Sequence, residues 1–110
     1  MESDTKKAKH YWELAAVNGS ARARHNLGYI EVQADNLQRA YKHFTLAARA
    51  GYKQSLDTVK DGYKHGIVKK DEYANTLRAY QKSQYEMKSE MRDKVEVFRA
   101  EAARNQLRGG

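Results

Sequence analysis

Apolar and small residues step along this chain by threes and fours, with polar residues between them. Over 37–50, Leu37, Ala40, Tyr41, Phe44, Ala47 and Ala48 fall at the spacing of one helix face. Asn36 stands before this run as an N-cap. Gly51 stands after it, where a helix end favours a left-handed residue. The stretch 6–18 follows the same plan and closes at Gly19. Between them, Ala23, Leu27 and Ile30 mark a helix over about 20–33 with Ser20 as its cap. Ser55, Val59, Gly62 and Tyr63 mark the inward face of another over about 52–65, stopped by Gly66. A fifth run begins at 71. These elements predict an all-α chain.

The pattern repeats at a shift of 32 residues. Ala8 meets Ala40, Trp12 meets Phe44, Leu14 meets Leu46, and Ala15-Ala16 meets Ala47-Ala48. Gly19 then meets Gly51, Ala23 meets Ser55, and Leu27 meets Val59. An internal repeat of this length predicts a short α-solenoid of antiparallel helix pairs. Ala15, Ala16, Ala47, Ala48 and Gly28 let helices approach closely, and Trp12 and Phe44 fill the space between pairs.

The run Ala15-Ala16-Val17-Asn18-Gly19-Ser20-Ala21-Arg22-Ala23-Arg24-His25-Asn26-Leu27-Gly28 resembles the Sel-1-like repeat, a relative of the tetratricopeptide repeat. That family reads Ala-Ala, two variable, Gly, one variable, Ala, one variable, Ala, three variable, Leu-Gly. The second copy keeps Ala47-Ala48, Gly51 and Ser55 but carries Val59-Lys60 in place of Leu-Gly. Tyr63, Gly66 and Ile67-Val68-Lys69-Lys70-Asp71 fit the family's later positions. The resemblance spans about residues 6–82, and the whole string is similar to short members expanded in some unicellular algae. It implies a tetratricopeptide-like solenoid acting as a non-catalytic adaptor or scaffold. The missing glycine at Lys60 predicts a wider second pair. The loop after Ile30 is shorter than the family's linker. The chain enters a repeat at its second helix, which leaves Trp12 short of one neighbour.

Composition narrows the classes. Proline is absent, and alanine, lysine, arginine and glutamate abound, which favours helices over strands. Cysteine is absent too, excluding disulfides, thiolate zinc sites and cysteine nucleophiles. No apolar run approaches the roughly 20 residues that cross a bilayer, and no signal-peptide core follows Met1. The expected location is therefore intracellular, the cytoplasm first and the nucleus second. Asn18-Gly19-Ser20 has the form of a glycosylation site but reads as a helix-ending turn. His10, His25, His43 and His65 stand with no nucleophile and orienting acid at recognisable spacing, and phosphate-loop and zinc-hydrolase motifs are lacking. The expectation is no enzyme, no cofactor and no metal.

Lysine and arginine number 21 against 14 acidic residues, for a net charge of +7. Residues 1–70 hold +6 of this surplus and residues 71–110 hold +1. That bias makes a phosphate-binding, nucleic-acid module the second functional reading, although no dense basic stripe forms. The first reading is binding of a peptide or protein segment on the solenoid surface. With Ala23 inward, the outer face of 20–33 carries Arg22, His25, Asn26 and Tyr29. The matching face of 52–65 carries Gln54, Asp57, Thr58, Asp61 and His65. Mixed aromatic and hydrogen-bonding groups on one face suit peptide recognition. Asp57, Asp61 and His65 lie four residues apart in turn, but this row rotates by about 80° along a helix, too far to share one ion.

From Asp71 to Leu107 there is neither glycine nor proline. Unbroken, this run makes a helix about 55 Å long. Ser83-Gln84-Tyr85-Glu86 has the form of a capping box that would divide it, giving repeat units over 1–82, an extension over 83–108 and a frayed end at 109–110. Either way Met87, Met91, Val95 and Phe98 form an apolar stripe that needs cover. The tail would fold back as a cap on the last repeat, or pair with a second chain as a homodimer.

Overall fold

The computed structural model describes residues 2–17 and 19–109; Asn18 and Gly110 lie outside the described residues, and so does that part of the expected 18–20 turn and of the frayed end. Five helices pack together: α1 (Glu2–Val17), α2 (Ala21–Gln33), α3 (Leu37–Arg49), α4 (Lys53–Lys64) and α5 (Lys70–Gly109). There is no strand among the described residues.

Local chemistry sets the helix ends. Gly19, Gly51 and Gly66 all take positive φ, at 91°, 102° and 77°, and so turn the chain after α1, α3 and α4. Ser20 starts α2 by accepting a 3.1 Å hydrogen bond from the Ala23 amide. Asn36 occupies the N-cap position of α3, but its side chain makes no capping bond. Its Nδ2 instead donates to Glu31 Oε2 at 2.9 Å. That bond, with Lys9 Nζ 3.4 Å from Glu31 Oε1, ties the α2–α3 turn to α1.

Helix α3 is the centre of the fold, in contact with α2, α4 and α5. Ala40, Phe44, Ala48, Val59 and Val68 form one buried cluster, with Tyr41, Leu56 and Tyr73 packed against it. Ala16, Ala23 and Leu27 form a second, smaller cluster at the α1–α2 junction, flanked by Trp12 and Ala15. Glycine permits both close approaches to α3. A methyl group on Gly28 would sit 2.5, 2.7 and 2.8 Å from Cε1, Cδ1 and Cζ of Phe44, so the ring lies flush on the α2 backbone. On α4 the same part is played by Gly62, where a methyl would meet the Tyr41 ring and, at 3.0 Å, Val68. The close approach of the second pair therefore comes two residues after Lys60 and needs no glycine there. Tyr63, expected inward, is partly exposed and stacks on Tyr73 with centroids 5.1 Å apart. Leu37, expected on the packed face of α3, is also exposed.

The last helix departs from the expected division. α5 runs unbroken from Lys70 to Gly109, through the Ser83 capping box. Ser83 Oγ instead donates to the Arg49 carbonyl at 2.6 Å, and Gln84 Nε2 to the Gly51 carbonyl at 3.0 Å. Two carbonyls at the C-terminal end of α3, which no intrahelical amide can reach, are thereby satisfied. A Ser83 hydroxyl bonded to α3 cannot cap its own helix, so nothing stops α5. Beyond this foothold the helix continues straight away from the body rather than folding back over it. The chain measures 66 × 37 × 17 Å, and its radius of gyration of 19.3 Å far exceeds the ~13 Å of a compact chain this long.

Candidate functional site

The face expected on α2 and α4 is only partly a surface. Arg22 and Tyr29 are exposed on α2, Asn26 is half-buried, and His25 is buried at 5% exposure. His25 Nδ1 and Ser55 Oγ share a 2.6 Å hydrogen bond that joins α2 to α4. Its ring lies 5.0 Å from that of Phe44, 5.3 Å from Tyr52 and 5.4 Å from Tyr29, centroid to centroid. His25, expected on the outer face, is thus a buried seam residue between helices. A helical wheel with one inward face misplaces it, because α2 meets α1 and α3 through Ala23, Leu27 and Gly28 and meets α4 through His25. Burial disfavours the imidazolium and holds His25 below its ordinary value of 6.5.

On α4, Gln54, Asp57, Asp61 and His65 are exposed and Thr58 is half-buried. Several are engaged locally. The Tyr52 hydroxyl donates to Gln54 Oε1 at 3.0 Å, and the Thr58 hydroxyl to the Gln54 carbonyl at 2.9 Å. His65 Nδ1 donates to the Asp61 carbonyl at 2.8 Å, one turn back on its own helix. Among the described residues no three His, Asp or Glu side chains converge as a metal site would require. The exposed members of the expected face include Arg22 and Tyr29 on α2 and Asp57 and Asp61 on α4. This strip carries both charges and one aromatic ring, and Arg22 can donate where Asp57 and Asp61 accept.

A second titratable knot lies at the junction of α1, α2 and α3. Hydrogen bonding from Asn36, helped by Lys9, holds the Glu31 carboxyl below the usual carboxylate range although burial opposes this. His43 Nδ1 is buried without a hydrogen-bond partner. Burial, with the nearby Arg24 charge, holds its imidazole low as well.

An exposed apolar stripe lies on α5. Met87 is 48% exposed, Met91 62%, Val95 44% and Phe98 71%. They continue the face by which α5 packs on the body. Thr76, Tyr80, Gln84, Met87, Met91, Val95, Phe98 and Ala102 follow steps of 4, 4 and 3, an 11-residue period that drifts only about 20° per repeat. Thr76 at the start of this line is fully buried, and Gln84 grips the Gly51 carbonyl. From Met91 onward it is exposed among the described residues. Among the described residues no helix is long and apolar enough to cross a membrane.

Two features had no readable trace in the sequence. Ser83 and Gln84 reach carbonyls 34 and 33 residues away, a pairing that no local pattern encodes. Leu46, paired with Leu14 in the repeat frame, points outward on α3, and its exposure follows only from which side α4 and α5 take. Comparison with protein-family models, with curated proteins and with solved structures finds no match to this chain.

Proposed function

We propose that this chain is a non-catalytic protein-interaction module of the adaptor or scaffold kind, a short α-solenoid of antiparallel helix pairs with a projecting last helix. The repeat geometry supports the solenoid reading. Gly19 and Gly51 end α1 and α3 with the same left-handed turn. Ser20 and Tyr52 then start α2 and α4 with nearly equal backbone angles, φ −76° and ψ 109° against φ −85° and ψ 109°. Ala23 and Ser55 are both fully buried one turn later. These are the positions that carry the Sel-1-like resemblance.

The observation that carries the functional reading is the free half of α5. Most of a helix's stability in proteins comes from an apolar face packed on something. Four large apolar side chains in one line on such a helix suit docking to another chain. The partner is a second copy. The stripe is continuous with the face that already packs on α3 and α4, so a copy running parallel in register would collide with that body. An antiparallel copy runs clear of it, with its own body beyond the far end. Two arms apposed over their length need to bury on the order of 1,200 Å² to reach the low end for a specific dimer. Each half of the dimer then presents its own Arg22–Tyr29–Asp57–Asp61 strip, which makes a bivalent scaffold.

Sedimentation velocity across a concentration series tests this. The wild-type chain shifts from monomer to dimer as concentration rises. Met91→Glu combined with Phe98→Glu stays monomeric with the same melting temperature, since neither side chain touches the body. A wild-type chain that remains monomeric up to millimolar concentration refutes the self-association.

A further inference from the structure

A groove of about 510 Å³ runs between the outer face of α3 and the α4–α5 linker. Its walls follow from the sequence in a simple way. Positions 38, 42, 45, 46 and 49 fall on one side of α3 by helical spacing, away from the face that buries Ala40, Phe44 and Ala48. Across from them, Val68 plugs the linker into the core, which turns its neighbours Ile67 and Lys69 outward. The linker is held in place by Gly62, whose carbonyl accepts from the amides of Ile67 at 2.8 Å and Val68 at 3.1 Å. The groove is thus built on a rigid wall on each side.

The floor is apolar and the rim is cationic. Leu46 is 46% exposed and Ile67 43%, unusual values for two large aliphatic side chains that share one concavity. Lys42 and Arg49 rise from α3 and Lys69 from the linker, against Glu72 in the lining and Asp61, whose charge reaches Tyr41 and, after burial, helps to raise its hydroxyl above the ordinary value. The one ion pair among the described residues is Lys9–Glu31, at the other end of α3, so these three cations have no carboxylate within 4.0 Å. An apolar floor with an unneutralised positive rim selects for the inverse pattern in its occupant.

We propose that this groove docks an acidic segment of another protein that carries one or two large apolar side chains. Leucine- or phenylalanine-like groups seat between Leu46 and Ile67, and flanking carboxylates meet Lys42, Arg49 and Lys69. Nucleic acid fits less well. Bases bind single-strand sites by stacking on open aromatic faces, and the ring of Tyr41, the aromatic residue of the groove, is already laid over Gly62. The inference is independent of self-association through α5, because none of the groove residues lies beyond Glu72.

The test is selection of a random 12-residue peptide library on the Met91→Glu/Phe98→Glu chain, which removes the arm stripe from competition. The expected pool is rich in Asp and Glu around Leu, Phe or Met. Lys42→Glu with Lys69→Glu should lose the pool, and Leu46→Ser should weaken a representative peptide several-fold at every salt concentration. All three positions are exposed, so the melting temperature should stay near wild type. For the charge pair, affinity should fall roughly fivefold or more, and the wild-type interaction should weaken with added salt. Amide shifts on titration should cluster on 42–49 and 67–72. A pool that is neutral or basic, a pool retained by the charge-reversed chain, or shifts confined to other faces would each overturn the proposal. So would displacement of the peptide by a 12-nucleotide oligo-dT at equal concentration, which would assign the groove to phosphate.

Discussion

Gly28→Ala puts two opposed effects on one methyl group. In an ordinary helix interior, replacing glycine by alanine stabilises by about 0.8–1 kcal/mol, because the unfolded chain loses freedom. Here the new Cβ would lie 2.5, 2.7 and 2.8 Å from three Phe44 ring carbons. Phe44 is 2% exposed, with the rings of Tyr41, His25 and Tyr29 around it at 5.5, 5.0 and 6.0 Å. It cannot swing away without disturbing those neighbours. Three contacts below 3.0 Å against an enclosed ring place the overpacking in the upper part of its usual range, roughly 2–3 kcal/mol. The clash therefore wins, for a net loss of about 1–2 kcal/mol and a melting temperature lower by about 5–10 °C. The reasoning is checked by making the change again beside Phe44→Leu, which removes the ring atoms in question. In that background Gly28→Ala should become stabilising by up to about 1 kcal/mol, giving a coupling of about 2–3 kcal/mol in urea unfolding followed by circular dichroism. A Gly28→Ala chain that melts higher than wild type, or an equal loss in both backgrounds, would refute the close approach of α2 to α3.

Phe44→Ala should destabilise by about 3–5 kcal/mol and Trp12→Ala by clearly less, since Phe44 is enclosed and Trp12 is half-buried at the α1 end; equal losses in thermal unfolding would contradict the packing. Ser83→Ala and Gln84→Ala should each cost about 1 kcal/mol by uncovering the Arg49 and the Gly51 carbonyl respectively, and the amides of α5 beyond 84 should exchange faster than in wild type. Stability should decline on acidification from about pH 7, because His25 and His43 are held below 6.5 when folded and the unfolded chain takes up protons first. The stability of the neutral forms is complete above 6.5 and is lost as the pH falls through the lowered folded values. His25→Gln should flatten this slope in urea titrations at several pH values; an unchanged slope would remove His25 as a source.

Much of the fold was legible because its signals are local. The glycines at 19, 51 and 66 end helices since no other residue takes positive φ so cheaply, and Ser20 caps α2 through a bond three residues away. The core at Ala23, Leu27, Phe44, Ala48 and Val59 follows from helical spacing alone. Periodicity becomes blind where a helix has several neighbours, as at His25, or where a side chain chooses between two backbones, as at Ser83. The Gly62 contact shows the same limit: the sequence located a missing glycine at Lys60, while the ring of Tyr41 settled where the close approach would fall. For the candidate surfaces, the exposed members Arg22, Tyr29, Asp57 and Asp61 were readable, and the Leu46–Ile67 groove was not, since it depends on how the α4–α5 linker crosses α3.

The grip of Ser83 and Gln84 on the end of α3 is also a pivot. Beyond it α5 extends as a rod of about 35 Å. Ten degrees of play at such a pivot would swing the far tip by about 6 Å, more than the rise of a full helical turn. Two short hydrogen bonds at the base therefore govern aim at the tip, in the way a rifle's mount governs its aim. Whatever meets Phe98 and Ala102 meets them at a bearing set by the turn between α3 and α4. A change at Gly51 or Tyr52 could consequently misdirect an encounter more than 20 Å away while leaving every residue of the contact in place.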